Sequence, residues 1–263
     1  MEKRFSIEEL ICLHLLRCRY ADICSKNEQE LRETIALHPA IFAKAKMILE
    51  KQQEVGVCII PYYAEDYPAS FAKIGTEAPT LIHLLGNKEL LYHENPIAII
   101  GSRNADEAGC DIAYQLAKSY ALKGNIIVSG LALGCDTAAH QGCIDANGKT
   151  IAVVASGLDI VYPKANTSLQ REIINKGGLI ISEQPFGVKA NPARLYARNR
   201  LQAALARKVI VVQCAVKSGT MNTVHFAYKY GHKVYAVAYG QYDEHNAGNE
   251  YILKNGIGFP IKL

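Results

Sequence analysis

The residues able to do chemistry in this chain fall into a few short stretches, and most of that chemistry is phosphate binding. Gly101-Ser102-Arg103 pairs a tight turn, whose N–H groups an anion can approach, with a guanidinium suited to bidentate phosphate contact. Lys217-Ser218-Gly219-Thr220 opens a helix pattern and offers a second nest of N–H groups. Tyr162-Pro163-Lys164-Ala165-Asn166 adds a lysine, and the stretch from Pro192 to Arg200 holds Arg194, Arg198, Asn199 and Arg200 around Tyr196. Cations that track phosphates beside a ring that stacks a base suit single-stranded nucleic acid. The competing reading for Arg198 and Arg200 is that they brace loops against acids such as Glu183.

The same stretches lack the marks of common nucleotide enzymes. From Gly101 the chain reads G-S-R-N-A-D rather than G-x-G-x-x-G, so the close-approach glycines of dinucleotide binding are missing. Gly148-Lys149-Thr150 resembles the end of a phosphate-binding P-loop, but Cys143 stands where that loop needs glycine, and the segment precedes a strand; it reads as a helix-to-strand turn. Ser129-Gly130-Leu131-Ala132-Leu133-Gly134-Cys135-Asp136 is a glycine-punctuated loop. Asp136 reads as the cap of the next helix and His140 as a packed histidine, with acid–base chemistry by the pair as the alternative. No Cys/His set has zinc-ligand spacing, no third partner completes a catalytic triad, and no cofactor is expected.

These stretches are positioned by an alternating pattern that begins at Pro96. Apolar strand-like runs at 97–100, 126–128, 150–154, 179–181, 209–212 and 233–237 alternate with helical patterns at 108–123, 137–146, 167–175, 199–206 and 222–230. Continuous Ile/Val/Ala runs mark strands buried on both faces, and the alternation predicts an α/β fold: a Rossmann-like, mostly parallel sheet of six strands with helices on both faces. Gly124, Gly148, Gly177 and Gly231 are placed to end helices in the left-handed conformation. In such a sheet the ligand crevice lies at the carboxyl ends of the strands, where the candidate stretches fall. Arg103 and Lys164 are expected after neighbouring strands, facing one crevice.

Residues 1–56 read as a small N-terminal helical module. Ser6 to Glu9 is a capping-box pattern, Ser25 to Glu28 opens a second helix in the same way, and Pro39 opens a third that Gly56 ends. Short strands at 57–60 and 80–85 form a transition into residues 57–263, read as one extended Rossmann-like domain. The 263 residues are 49% hydrophobic and 21% charged, which excludes a disordered chain. No apolar run nears the ~18 residues of a membrane span, and the first residues lack a leader's apolar core, so a cytoplasmic protein with no membrane partner is expected. The eight cysteines contain no C-x-x-C, and most are expected as small buried hydrophobes rather than disulfides. Charge is uneven. Residues 1–95 hold 11 Lys and Arg against 14 Asp and Glu, whereas 96–263 hold 18 against 11. From Lys164 to Lys233 there are 12 basic residues and only Glu172 and Glu183 as acids, which suggests a polyanionic partner.

Taken in order, the motifs resemble the DprA/Smf family of bacterial DNA-processing proteins. The resemblance runs from about Tyr62 to Gly256 through Asp66-Tyr67-Pro68, Ile99-Ile100-Gly101-Ser102-Arg103, Ser129 to Gly134 with Asp136 and His140, Gly157-Leu158-Asp159 with Tyr162-Pro163, Arg198-Asn199-Arg200, Ser218-Gly219-Thr220 and Gly248-Asn249. It implies a non-enzymatic, homodimeric single-stranded DNA-binding protein of natural transformation that assists loading of the RecA recombinase, with Arg103 and Lys164 in the DNA pocket. Leu133 stands where the family has an arginine, Leu195-Tyr196 replaces a Phe-Pro, and Ala238-Tyr239 falls where a proline is expected. No segment corresponding to the winged-helix-like C-terminal domain of many members is read before Leu263. The alternatives are a nucleotide-processing enzyme of the phosphoribohydrolase type and a nucleotide sensor; against the first, the stretch comparable to that enzyme's motif, Lys217 to Val224, contains no glutamate.

Overall fold

The computed structural model describes residues 5–262. The opening four residues, part of the segment read as leaderless, and Leu263 lie outside the described residues.

Among the described residues, four helices rather than three come first: α1 (Ile7–Leu15), α2 (Tyr20–Ser25), α3 (Glu28–Ala36) and α4 (Pro39–Glu54). The Ser6 capping box is present, with Glu9 N–H donating to Ser6 Oγ and Ser6 N–H to the Glu9 carboxylate. The second expected box is absent. Ser25 ends α2, and Asn27 caps α3 by accepting from Gln29 N–H, because an Asx side chain reaches its N2 amide directly. The buried faces of these helices pack with Tyr62 and Leu81, so residues of both segments share one apolar cluster.

The remaining elements are β1 (Cys58–Pro61), α5 (Ala69–Ala72), β2 (Leu81–Gly86), β3 (Pro96–Ile100), α6 (Glu107–Leu122), β4 (Ile126–Ser129), α7 (Cys135–Asp145), β5 (Thr150–Val153), α8 (Thr167–Asn175), β6 (Leu179–Ser182), α9 (Pro192–Leu205), β7 (Lys208–Val211), α10 (Gly219–Lys229), β8 (Lys233–Val237), α11 (Ala247–Lys254) and β9 (Phe259–Ile261). The nine strands among the described residues form one sheet in the order β1-β2-β6-β5-β4-β3-β7-β8-β9. Six strands were expected. The two transition strands join the same sheet, β2 running antiparallel to β6, and β9 adds a parallel edge beside β8. The pairs from β6 through β9 are parallel.

Strand periodicity explains the layers. In β3, Ala98 and Ile100 enter the cluster with α9, α10 and α11, while Ile97 and Ile99 enter the cluster with α6 and α7. Successive side chains point to opposite faces, so every residue of β3 through β7 except Lys208 is buried. Left-handed glycines end helices at Gly124, Gly177 and Gly231 as expected; after α7 the left-handed residue is Asn147 (φ 53°) rather than Gly148. Four of the eight cysteines are buried and Cys24 is exposed, so burial accounts for half of them rather than most, and all eight are free thiols. No helix among the described residues is long and apolar enough to cross a membrane.

The chain winds from β3 outward to β6 and then returns to lay β7 and β8 on the other side of β3. The switch point therefore falls between β3 and β7, and an open α/β sheet has its crevice outside the carboxyl ends of such a pair.

Candidate functional site

A cleft of about 520 Å³ opens there, lined by the turn after β3, the first turns of α9 and α10, and the loop before α7. Eight of the twelve expected site residues line it: Gly101, Ser102, Arg103, Arg198, Asn199, Ser218, Gly219 and Thr220. Lys164, Asn166, Arg200 and Lys217 do not. Arg103 and Lys164 do not follow neighbouring strands, because β4 lies between β3 and β5. Lys164 is exposed, in the short turn after the cis Tyr162–Pro163 bond, and Lys217 is exposed before α10.

The two expected anion nests differ. In the Gly101 turn, Ser102 N–H already donates to Gln213 O (2.7 Å), so that donor is taken. The following α6 N-terminus is occupied as well: Asp106 accepts from Gly109 N–H (2.7 Å) and from Gln213 Nε2 (2.9 Å). What remains in this turn is exposed Arg103. The α10 N-terminus is different. Ser218 makes no side-chain cap, no acid lies in the first turn, and Ser218, Gly219 and Thr220 face the cleft. The positive end of an 11-residue helix therefore points into it unneutralised. Thr220 Oγ1 donates to Gly101 O (2.9 Å) and Asn199 Nδ2 to Gly219 O (3.1 Å), which ties α10 to β3 and α9.

The cleft floor is a strained turn held from three sides. Leu131 is fully buried with φ 57°, a left-handed conformation that costs a non-glycine residue of order 1–3 kcal/mol. Asp136 Oδ2 accepts from the N–H groups of Gly130 (3.1 Å) and Ala132 (3.3 Å). Arg198 donates to Gly130 O (2.5 Å) and to Val153 O. Asn166 Nδ2 donates to Leu131 O (2.9 Å) and to Thr137 Oγ1 (2.8 Å). A Cβ at Gly130 would run into the Arg198 guanidinium, so the close approach requires glycine. Arg198 is 5% exposed; burial lowers its pKa to about 10 although Asp136 opposes the shift, so it stays cationic at neutral pH. Burial raises the Asp136 carboxyl, with Arg198 pulling it back.

Asp136 is thus not the helix cap, which is Gly134; it lies inside α7 and ties down the preceding loop. His140 is wholly buried, donates from Nδ1 to Thr150 Oγ1 (2.7 Å) and is absent from the cleft. Burial pushes its pKa to about 3, which leaves it neutral. The two groups therefore do not face a common substrate.

Arg200 follows the bracing alternative. It clasps Glu183 through Nη1 (2.9 Å) and Nη2 (2.5 Å), and its Nε donates to Glu77 O (2.7 Å). Burial alone raises Glu183, but the guanidinium outweighs it and holds the carboxyl below the usual 4.5. Arg198 and Arg200 part because α9 starts at Pro192, not at 199: residues two apart on a helix lie about 200° apart around its axis. Asn191 caps α9 by accepting from Arg194 N–H (2.9 Å), and Pro192 takes the first helical position. That Asn-Pro pair was the legible signal for this start.

The earlier start also places Leu195 and Tyr196 on the cleft wall. Tyr196 is 50% exposed and packs edge-on against Phe226 (5.5 Å), while Tyr162 across the cleft is 45% exposed. Asn104, Asn222 and Thr223 line the cleft as well, without a motif to announce them. Among the described residues, no group of three His, Cys, Asp or Glu is placed to hold a metal.

A doubly wound sheet with an open, polar cleft at its switch point, floored by a buried Asp–Arg brace and lacking the dinucleotide glycines, defines a Rossmann-like protein of a particular kind. The chain belongs to the DNA recombination-mediator protein A family, whose match covers residues 58–261. It is 33% identical to the DNA processing protein DprA of Bacillus subtilis over 82% of this chain and 72% of that protein, and 34% identical to the protein Smf of Synechocystis over 72% of this chain and 48% of that one. The X-ray structure of DprA from Streptococcus pneumoniae superposes with a TM-score of 0.75 at 29% identity, covering 97% of this chain and 89% of that one. The DNA processing protein A of Helicobacter pylori, whose structure concerns a single-stranded DNA binding mode, superposes with a TM-score of 0.71 at 30% identity over 78% of this chain and 91% of that chain.

Proposed function

We propose that this chain binds single-stranded DNA in the switch-point cleft, without catalysing a reaction on it, and in that state assists loading of a RecA-type recombinase. The observation that carries the reading is the cleft wall. An acid-free helix N-terminus and Arg103 supply the anion contacts, and two half-exposed tyrosines offer faces to unstacked bases. Base–aromatic stacking tolerates any sequence, and a duplex cannot offer its bases this way. Membership of a recombination-mediator family supports the assignment to DNA, and with it the homodimer and the recombinase partner. Lys164 and Lys217 are assigned to the rim, where a strand leaving the cleft meets them.

Fluorescence-anisotropy titration tests this with poly-dT, duplex DNA and free nucleotides at two salt concentrations. Single strands bind more tightly than duplex, with affinity falling as salt rises. Equal or tighter duplex binding rejects the reading. Hydrolysis of nucleoside monophosphates that disappears on Arg103→Ala favours the enzyme alternative instead.

A further inference from the structure

The basic stretch from Lys164 to Lys233 does not converge on the cleft. Of its 12 cations only Arg198 lines the cleft, and Arg198 is buried. Four others, Arg207, Lys208, Lys229 and Lys233, lie at the opposite end of the sheet, at the amino ends of β7 and β8. Two adjoining cavities lie there, of about 800 Å³ and 240 Å³, sharing Pro96 and Arg207 in their linings and making up a basic groove. Lys73 joins it from the end of α5.

The charges in this groove are unbalanced. Its two carboxylates are Glu77 and Glu94. Glu77 is already matched by Lys229 (2.7 Å) and the Tyr230 hydroxyl (2.9 Å). Lys73, Arg207, Lys208 and Lys233 are in no ion pair among the described residues; Arg207 donates only to neutral oxygens, Asn95 Oδ1 (3.2 Å) and Glu94 O (3.4 Å). Lys208 and Lys233 are direct register partners across β7 and β8, so two like-charged residues stand side by side on strands whose backbones run about 4.8 Å apart. Such a pair is unfavourable without a counter-charge. Lys208 lies over the rings of Tyr120 (4.3 Å) and Tyr235 (5.6 Å), and Tyr235 packs on Phe259 (5.7 Å). Cations spread along a groove and interleaved with rings suit an extended phosphate backbone better than a single phosphate, which needs donors converging on one point.

We propose that this groove is a second nucleic-acid contact, holding the phosphate backbone of a strand that extends beyond the cleft. The proposal rests on the reading that the chain binds DNA, but not on which cleft residues do so.

The test is anisotropy on wild type, Arg103→Ala and the Lys208→Ala/Lys233→Ala double variant, using dT strands of about 5 and about 30 nucleotides at several salt concentrations. The double variant loses about tenfold in affinity for the long strand, and its slope of log affinity against log salt falls by about 1.4, two contacts at ~0.7 each. Binding of the short strand stays at the wild-type level. Because Lys208 packs on two rings, Lys73→Ala/Lys233→Ala, both at exposed positions, repeats the measurement with that packing intact. Long-strand affinity and slope unchanged in both double variants overturn the groove. So does a lysine requirement that appears only with phosphatidylserine vesicles, which assigns the face to a membrane surface. Normal binding by Arg103→Ala with loss in the lysine variants sinks the cleft reading while the groove stands.

Discussion

Replacing Arg198 by alanine strips the donor from Gly130 O and Val153 O and removes the cation facing Asp136. Two buried carbonyls then lack their donor, the Asp136 carboxyl keeps its Gly130 and Ala132 N–H groups but loses the nearby cation, and the left-handed Leu131 turn loses one of its three holds. Removing one side of such a buried arrangement costs about 3–5 kcal/mol. Thermal or urea unfolding of Arg198→Ala is expected to show that loss in stability. Arg103 is the opposite case. It is exposed on the rim, and exposed ion contacts contribute little to folding. Arg103→Ala is expected to unfold like wild type while losing roughly 1–3 kcal/mol of single-strand affinity. Lys164→Ala, outside the cleft lining, loses less. If Arg198→Ala binds poorly yet melts like wild type, Arg198 contacts DNA and is not a brace. In the sequence these arginines look alike; what separates them is burial, which depends on the strand end each one meets.

At the scale of elements, the α9–β6 clasp makes a pH prediction. Glu183 has its folded pKa depressed, so the Arg200 contact contributes stability above the ordinary 4.5 and loses it as pH falls through the folded value. His14, half-buried in α1 beside Gln184 (3.1 Å), is pushed below 6.5 by desolvation and adds to the same acid-side loss. Glu183→Gln is expected to be less stable than wild type at pH 7, the difference narrowing below pH 4.5. A gap that is constant from pH 7 down to pH 3 contradicts an ionised Glu183. Elements differ in how much the sequence discloses them. Strands β3 to β7 were legible because both faces are buried, which leaves nearly unbroken apolar runs, and β8 through Val234, Ala236 and Val237. The α9 start was missed because its first turns carry Arg194, Tyr196 and Arg198 rather than an apolar stripe, although Asn191-Pro192 marked it. The strand β9 was missed because Phe259-Pro260-Ile261 is a half-exposed edge of three residues. Apolar periodicity does not state strand order, so it cannot show that β4 separates the turns after β3 and β5.

For the whole molecule, a part of the positive charge of residues 96–263 stands at the two ends of one sheet. The switch point gathers an unneutralised helix end, Arg103 and two tyrosines at the carboxyl ends of the strands. The lysines that open β7 and β8 stand at the amino ends. Much of the rest of the family pattern is structural: Asn249 accepts from Cys214 N–H (2.9 Å) and donates to Val212 O (2.7 Å), and the Tyr67 hydroxyl donates to Pro79 O (2.6 Å). None of these residues lines the cleft. The central claim is therefore that DNA bases meet Tyr162 and Tyr196. Photo-crosslinking with a short dT strand carrying 5-bromodeoxyuridine, followed by peptide mass spectrometry, reads this directly. The account predicts adducts at Tyr162 and Tyr196, reduced by Arg103→Ala; adducts confined to exposed tyrosines elsewhere, such as Tyr228 or Tyr251, contradict it.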